Sequence, residues 1–161
     1  MVVMQNDDKK FMQRAIELAR KGMESGAGGP FGCVVVKDNQ IIAEGWNQVT
    51  SSNDPTAHAE VTAIRKACEK LQSFQLQDCV IYTSCEPCPM CLGAIYWARP
   101  QQVFYGCDRQ DAADIAFDDQ FIYDEIDAPI GQRKIPFKQL SQAEAIQVFH
   151  AWADKADKTE Y

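Results

Sequence analysis

At 161 residues with 46% apolar side chains, the chain has the size and composition of one globular domain able to bury a core. Its formal charge of −7, from 16 basic and 23 acidic side chains, weighs against nucleic acid as a partner, because phosphate contacts from Lys and Arg drive that binding. The longest apolar run, near Leu92 to Ala98, is far shorter than a membrane span.

Met1 to Lys10 is polar and of mixed charge, without the apolar stretch of a signal peptide, so a cytoplasmic, reducing location is expected. Cys33, Cys68, Cys79 and Cys107 then read as small core residues and not as bridges. Phe11, Ala15, Leu18 and Gly22 repeat at helical spacing, predicting an amphipathic helix from about Asp8 to Met23. Its Lys9, Lys10, Arg14, Arg20 and Lys21 read as a solvated face; an RNA-binding stripe is the alternative. Ser25 to Pro30 is a glycine-rich break without the Lys and Ser/Thr of a phosphate loop. Phe31 to Lys37 and Ile41 to Trp46 are β-branched runs around Asp38-Asn39-Gln40, a hairpin. Phe31 can lie against a ligand ring or be an ordinary core aromatic. Asn47 ends the second strand, where an amide can read a base edge or simply make a turn.

The chemistry lies further on. Pro55-Thr56-Ala57-His58-Ala59-Glu60 is followed about thirty residues later by Ser84-Cys85-Glu86-Pro87-Cys88-Pro89-Met90-Cys91. One imidazole and two thiolates suit Zn²⁺, and three protein ligands leave a fourth tetrahedral position for water. The metal lowers that water's pKa enough to supply hydroxide near neutrality. Glu60 can carry the protons. Residues i and i+2 on a helix point about 200° apart, so His58 and Glu60 can share a site only at a helix entry. Asp54 or Thr56 as cap, with Pro55 in the first turn, would provide one, and this helix should run to about Leu71. Cys88 and Cys91, at i and i+3, lie on one face, and Pro87 and Pro89 fit another first turn, where thiolate is favoured. Two helix starts should therefore face each other across one metal. A redox C-x-x-C would leave His58 and Glu60 without a role. A closed structural site would need Cys85, which on a helix sits about 120° from Cys91.

Cys79 to Thr83 predicts a buried strand, and the Cys88 helix should end at Pro100 with Trp97 facing the core. Gln102 to Gly106 is the next strand. Asp108 to Asp127 carries eight acids against the single Arg109, and Asp118 and Asp119 within it are two solvated acids unless one meets a ligand. Asp124 to Arg133 reads as loop, and Lys134 to Leu140 as a last, edge strand because of Pro136. Ser141 with Glu144 predicts a capping box, and Ile146, Phe149 and Trp152 a final helix packed on the sheet. His150 reads as a surface residue. The alternation predicts a three-layer α/β/α sandwich around a mixed sheet of about five strands.

H-x-E with P-C-x-x-C is the signature of zinc-dependent nucleobase deaminases. From Gly28 to Tyr123, and on to the last residue, the chain resembles the bacterial guanine deaminases of the cytidine deaminase-like superfamily. The residues that carry the resemblance are Gly29-Pro30-Phe31-Gly32, Asn53 to Glu60, Cys85 to Pro100 and Phe117-Asp118-Asp119, with the terminal Tyr161. The first three blocks are shared with tRNA adenosine deaminases, whereas the last, with Tyr161, points to guanine. The resemblance implies one Zn²⁺ per chain on His58, Cys88 and Cys91, with Glu60 as proton carrier. It also implies base contacts by Phe31, Asn47, Ala57 and Asp119. It further implies a homodimer whose exchanged C-terminal segment, residues 141–161, brings Tyr161 over the partner's pocket. The reaction expected is hydrolysis of guanine to xanthine and ammonia. Its rivals are a tRNA adenosine deaminase, a deaminase of another small ring such as cytosine, and a non-enzymatic zinc scaffold.

Overall fold

The structure is a computed structural model that describes residues 6–161; the first five residues of the segment read as lacking a signal peptide lie outside the described residues. The elements run α1 (Asn6–Glu24), β1 (Gly32–Lys37), β2 (Gln40–Trp46), α2 (Val49–Ser52), α3 (Ala59–Leu71), β3 (Cys79–Cys85), α4 (Pro89–Ala98), β4 (Gln102–Cys107), α5 (Arg109–Asp114), α6 (Gln120–Asp127), a 3₁₀ turn (Ile130–Gln132) and α7 (Gln142–Asp154). They form two compact units, residues 1–119 and 120–161.

In the first unit the sheet order is β2-β1-β3-β4. β1 is antiparallel to β2 and β3, and β3 is parallel to β4, so the sheet is mixed. The expected hairpin forms because Asp38 and Asn39 both take positive φ, 49° and 59°, the turn that matches the twist of paired strands. Alternation divides the core in two. Val34, Val36 and Tyr82 meet Phe11 and Leu18 of α1, while Cys33, Val35 and Ile81 meet Ala59, Ala63, Ile64 and Ala67 of α3 and Ile95 and Ala98 of α4. The result is the expected three-layer sandwich of the cytidine deaminase-like kind.

Two of the flanking helices, α1 and α3, are each seated on a glycine. A Cβ on Gly32 would lie 2.2 Å from the Ala15 carbonyl oxygen of α1, and one on Gly45 would lie 2.3 Å from the Ala59 carbonyl oxygen and 2.7 Å from the Ala63 nitrogen of α3. Backbone cannot yield as a side-chain tip can, so these two contacts set how close the helices lie. Gly45→Ala is expected to lower stability by about 1–3 kcal/mol, the usual cost of overpacking. Urea unfolding would measure it, and an unchanged midpoint would show that α3 moves freely. Arg14 grips Glu44 through two bonds of 2.7 and 2.9 Å, so this member of the basic stripe holds α1 to β2 and is spoken for.

Several expectations change. Lys134 to Leu140 is not a strand, so among the described residues the sheet has four strands. Pro136 offers no N–H, and Ile135, Phe137 and Leu140 are exposed, so the segment has neither the pairing nor the burial that would hold it extended in a ladder. Ser141 precedes α7 in a left-handed conformation (φ 54°) with no side-chain cap bond, so no capping box forms. A capping box does form in α5, between Asp108 and Asp111. No residue of α7 is buried, and His150 is exposed as expected. Trp97 is 62% exposed, because the inward face of α4 is taken by Cys91, Ile95 and Ala98. Cys107 is exposed, while Cys33 and Cys79 are buried; all seven cysteines are free thiols. No helix among the described residues is long and apolar enough to cross a membrane.

Candidate active site and zinc centre

Two helix starts do converge, by a different local route. His58 is itself the N-cap of α3, and Cys88 is the N-cap of α4 with Pro89 in the first helical position. Asp54 instead closes a tight turn, accepting the Thr56 N–H at 2.8 Å and its hydroxyl at 2.7 Å, so neither Asp54 nor Thr56 caps the helix and Pro55 lies before it. Pro87 likewise precedes α4 and does not open it. Neither cap side chain bonds its own helix. Both are turned to a common point.

His58 Nδ1 lies 3.5 Å from Cys88 Sγ and 3.5 Å from Cys91 Sγ, and all three donor atoms fall within 4.8 Å of one another. A tetrahedral zinc with Zn–S of about 2.3 Å and Zn–N of about 2.0 Å has N···S edges of about 3.5 Å. The donor set and its spacing both fit, and these residues form the zinc site. Cys85 is buried and points elsewhere, with Sγ 3.7 Å from the Asp108 carbonyl oxygen, so the site is not closed by a fourth protein ligand from Cys85. The two neighbouring thiols share a proton: contact with Cys91, then with His58, favours thiolate at Cys88, while Cys88 and burial push the Cys91 thiol up. Cys88 in turn raises His58.

Glu60, on the first turn of α3, is 6% exposed. Its Oε1 accepts from the Thr83 hydroxyl at 2.9 Å, and its Oε2 lies 3.4 Å from Cys91 Sγ. Burial raises its pKa above the ordinary value of 4.5, which favours holding a proton beside the metal ligands. Asn47 is 4% exposed, and its Oδ1 accepts the backbone N–H of Gly29 at 3.3 Å and of Val49 at 3.2 Å. Gly28 makes room for this amide, since a Cβ there would come within 2.1 Å of Oδ1. Ala57 is buried, donating to the Asp54 carbonyl and accepting from the Gln48 N–H. Phe31 is half-buried and meets Phe117 edge-on, ring centres 5.0 Å apart. Asp119 is partly buried and Asp118 exposed; desolvation, then the nearby Cys88, raises Asp119.

Residues 5–107 match the family model of the cytidine and deoxycytidylate deaminase zinc-binding region. Over 151 residues the chain is 62% identical to the guanine deaminase of Bacillus subtilis (strain 168), a match spanning 94% of this chain and 97% of that one. The chain belongs to the guanine deaminase family of zinc deaminases. The crystal structure of the Bacillus subtilis guanine deaminase has a TM-score of 0.93 at 60% identity, over 98% of this chain and 99% of that one. A guanine deaminase from Nitrosomonas europaea gives a TM-score of 0.67 at 30% identity, over 74% and 68%. A tRNA-specific adenosine deaminase of Haemophilus influenzae is 42% identical over 100 residues, 62% of this chain and 57% of that one.

In this guanine deaminase family member the zinc ligands, Glu60, Phe31, Asn47, Ala57 and Asp119 all lie in the first unit. Tyr161 belongs to the second unit and is 69% exposed. Two more side chains belong here: Thr83 stands outside every motif in the sequence, and Phe117 enters only as part of the block that carries the resemblance. Thr83 bonds Glu60, and its signal was parity, a polar residue on the inward register of a buried strand after Ile81. Phe117 fills the space over Gly29, where a Cβ would meet its ring at 2.8 Å. It sits in an irregular stretch after Ala116 (φ 70°), between α5 and α6, where periodicity carries no information.

Proposed function

We infer that this chain is a zinc-dependent hydrolase that deaminates guanine, converting guanine and water to xanthine and ammonia. The observation that carries the reading is a likeness to a guanine deaminase that extends over 98% of the chain, well beyond the metal motif common to zinc deaminases. When bound, Zn²⁺ supplies a Lewis acid that acidifies water for attack on the amino-bearing C2. Glu60 takes the proton at Oε2 and returns protons to the ring nitrogen and the departing amine. Asn47 and Asp119 orient the base by its polar edges, Phe31 stacks on it, and Ala57 lines the floor. Ammonia release from a panel of free bases, nucleosides and tRNA tests the reading. Guanine should be the preferred substrate; faster turnover of cytosine or of tRNA adenosine, or none at all, would replace it with one of the rivals.

The ligand is a small purine base and not a nucleic acid, in keeping with the acid-rich stretch from Asp108 to Asp127. Seven free thiols accord with a cytoplasmic setting. We further propose that residues 1–161 act as one deaminase domain in a homodimer, with the segment from 141 onward reaching the partner subunit. Apolar side chains exposed in each unit support this: Tyr96, Trp97 and Tyr105 in the first, and Phe137, Leu140 and Phe149 in the second. Tyr161 then closes a pocket across the dimer. Deleting Tyr161 is expected to lower kcat/KM for guanine about tenfold to hundredfold with zinc content unchanged, since a pocket left open loses both positioning and water exclusion. Steady-state kinetics beside metal analysis checks it, and an unaltered rate would end the idea of a closing tyrosine.

A further inference from the structure

We propose that Thr83 is a positioning residue for the reaction: its hydroxyl locks the Glu60 carboxylate by one oxygen so that the other, Oε2, is held toward the zinc ligands. The inference rests on the guanine-deaminating reading above and concerns a residue outside the metal motif.

The geometry divides the carboxylate. Thr83 Oγ1 donates to Oε1 at 2.9 Å, whereas Oε2 faces Cys91 Sγ at 3.4 Å, on the zinc side. Thr83 is 1% exposed, so water does not stand in for its hydroxyl. A β-branched residue in a strand has little freedom at χ1, and β3 here is paired on both sides, Thr83 standing opposite Cys33 of β1 and Tyr105 of β4. The donor is therefore fixed by the sheet. Glu60 hangs from the first turn of α3 by a flexible chain and gains its aim from the bond. The Thr83 side chain bonds Glu60 and not His58, Cys88 or Cys91. Its influence passes through Glu60.

Thr83→Val keeps the shape and removes the donor. It is expected to lower kcat for guanine about tenfold, the scale of one lost hydrogen bond to a charged group, with KM and zinc stoichiometry unchanged. Thr83→Ser, which restores the hydroxyl, should recover most of that loss. In a Glu60→Gln background Thr83→Val should cost nothing further, because the carboxylate it aims is gone. An unimpaired Thr83→Val overturns the proposal, as does a loss accompanied by lost zinc, or the same tenfold loss in the Glu60→Gln background. Should the Val variant not fold, Thr83→Ala carries the same comparison. A wild-type chain inert on guanine defeats the underlying reading, and this proposal with it. An active wild type with an equally active Thr83→Val defeats this one alone.

Discussion

Glu60→Gln is expected to cut kcat for guanine by about 10²–10⁴-fold, the range general acid–base catalysis supplies, while zinc content and fold are retained. The substitution preserves the outline of the side chain and can keep an oxygen toward Thr83, but it can neither take up nor release the proton. Burial makes the sign of the stability effect clear as well. The folded chain holds Glu60 above its ordinary value of 4.5, so in the metal-free protein the native state binds more proton than the unfolded state above that pH. Stability is therefore lost as pH rises through the window from 4.5 up to the folded value, and a neutral Gln should flatten that slope. Ammonia assays together with melting curves at pH 5 and pH 8 check both halves. A fully active variant removes Glu60 from the reaction.

Dialysis against a strong chelator is expected to abolish turnover, leave the chain folded, and be reversed by added Zn²⁺. None of His58, Cys88 and Cys91 belongs to either apolar cluster, so the two cores that hold α1, α3 and α4 to the sheet do not depend on the metal. That separates this site from small zinc modules, whose fold is their metal binding. The thiol pair adds a second readout. With one thiol of the pair favoured as thiolate and the other as thiol, the apoprotein at pH 8 shares one proton between Cys88 and Cys91. Zinc uptake should therefore expel about one proton from the pair, visible as buffer-dependent heat in calorimetry. Circular dichroism that collapses as the metal leaves would instead mark a structural zinc scaffold.

The sequence was most informative where chemistry and periodicity reinforced each other. His58, Glu60, Cys88 and Cys91 were legible because no other arrangement gives an imidazole, an acid and a thiol pair a common use, and the argument from helix entry correctly set them at two facing starts. The caps themselves were misjudged. Asp54 and Pro55 look like a helix start, but Asp54 spends its carboxylate on Thr56, and the ligand side chains serve as caps. The sheet core was visible in the runs from Phe31 to Trp46 and Cys79 to Thr83. Beyond Cys107 the same rules lost force. Apolar side chains such as Phe149 and Trp152 are ordinarily read as core, yet both are exposed in this chain. Lys134 to Leu140 has strand-like composition without the pairing that makes a strand. Thr83 escaped notice because its use depends on a neighbour 23 positions away, which no local pattern records.

The pinned amide of Asn47 has a consequence for selectivity. Two main-chain N–H groups fix which end of the amide is oxygen, because the reverse orientation would set donor against donor. Only the NH₂ end is left to donate. Under the proposed base contact, a ring that turns a carbonyl or bare nitrogen toward Asn47 would be accepted, whereas one that turns an exocyclic amine toward it would set donor against donor, at about 1–3 kcal/mol, or roughly ten- to a hundredfold in preference. On that proposal, discrimination between oxo and amino rings is written into the bend of a loop.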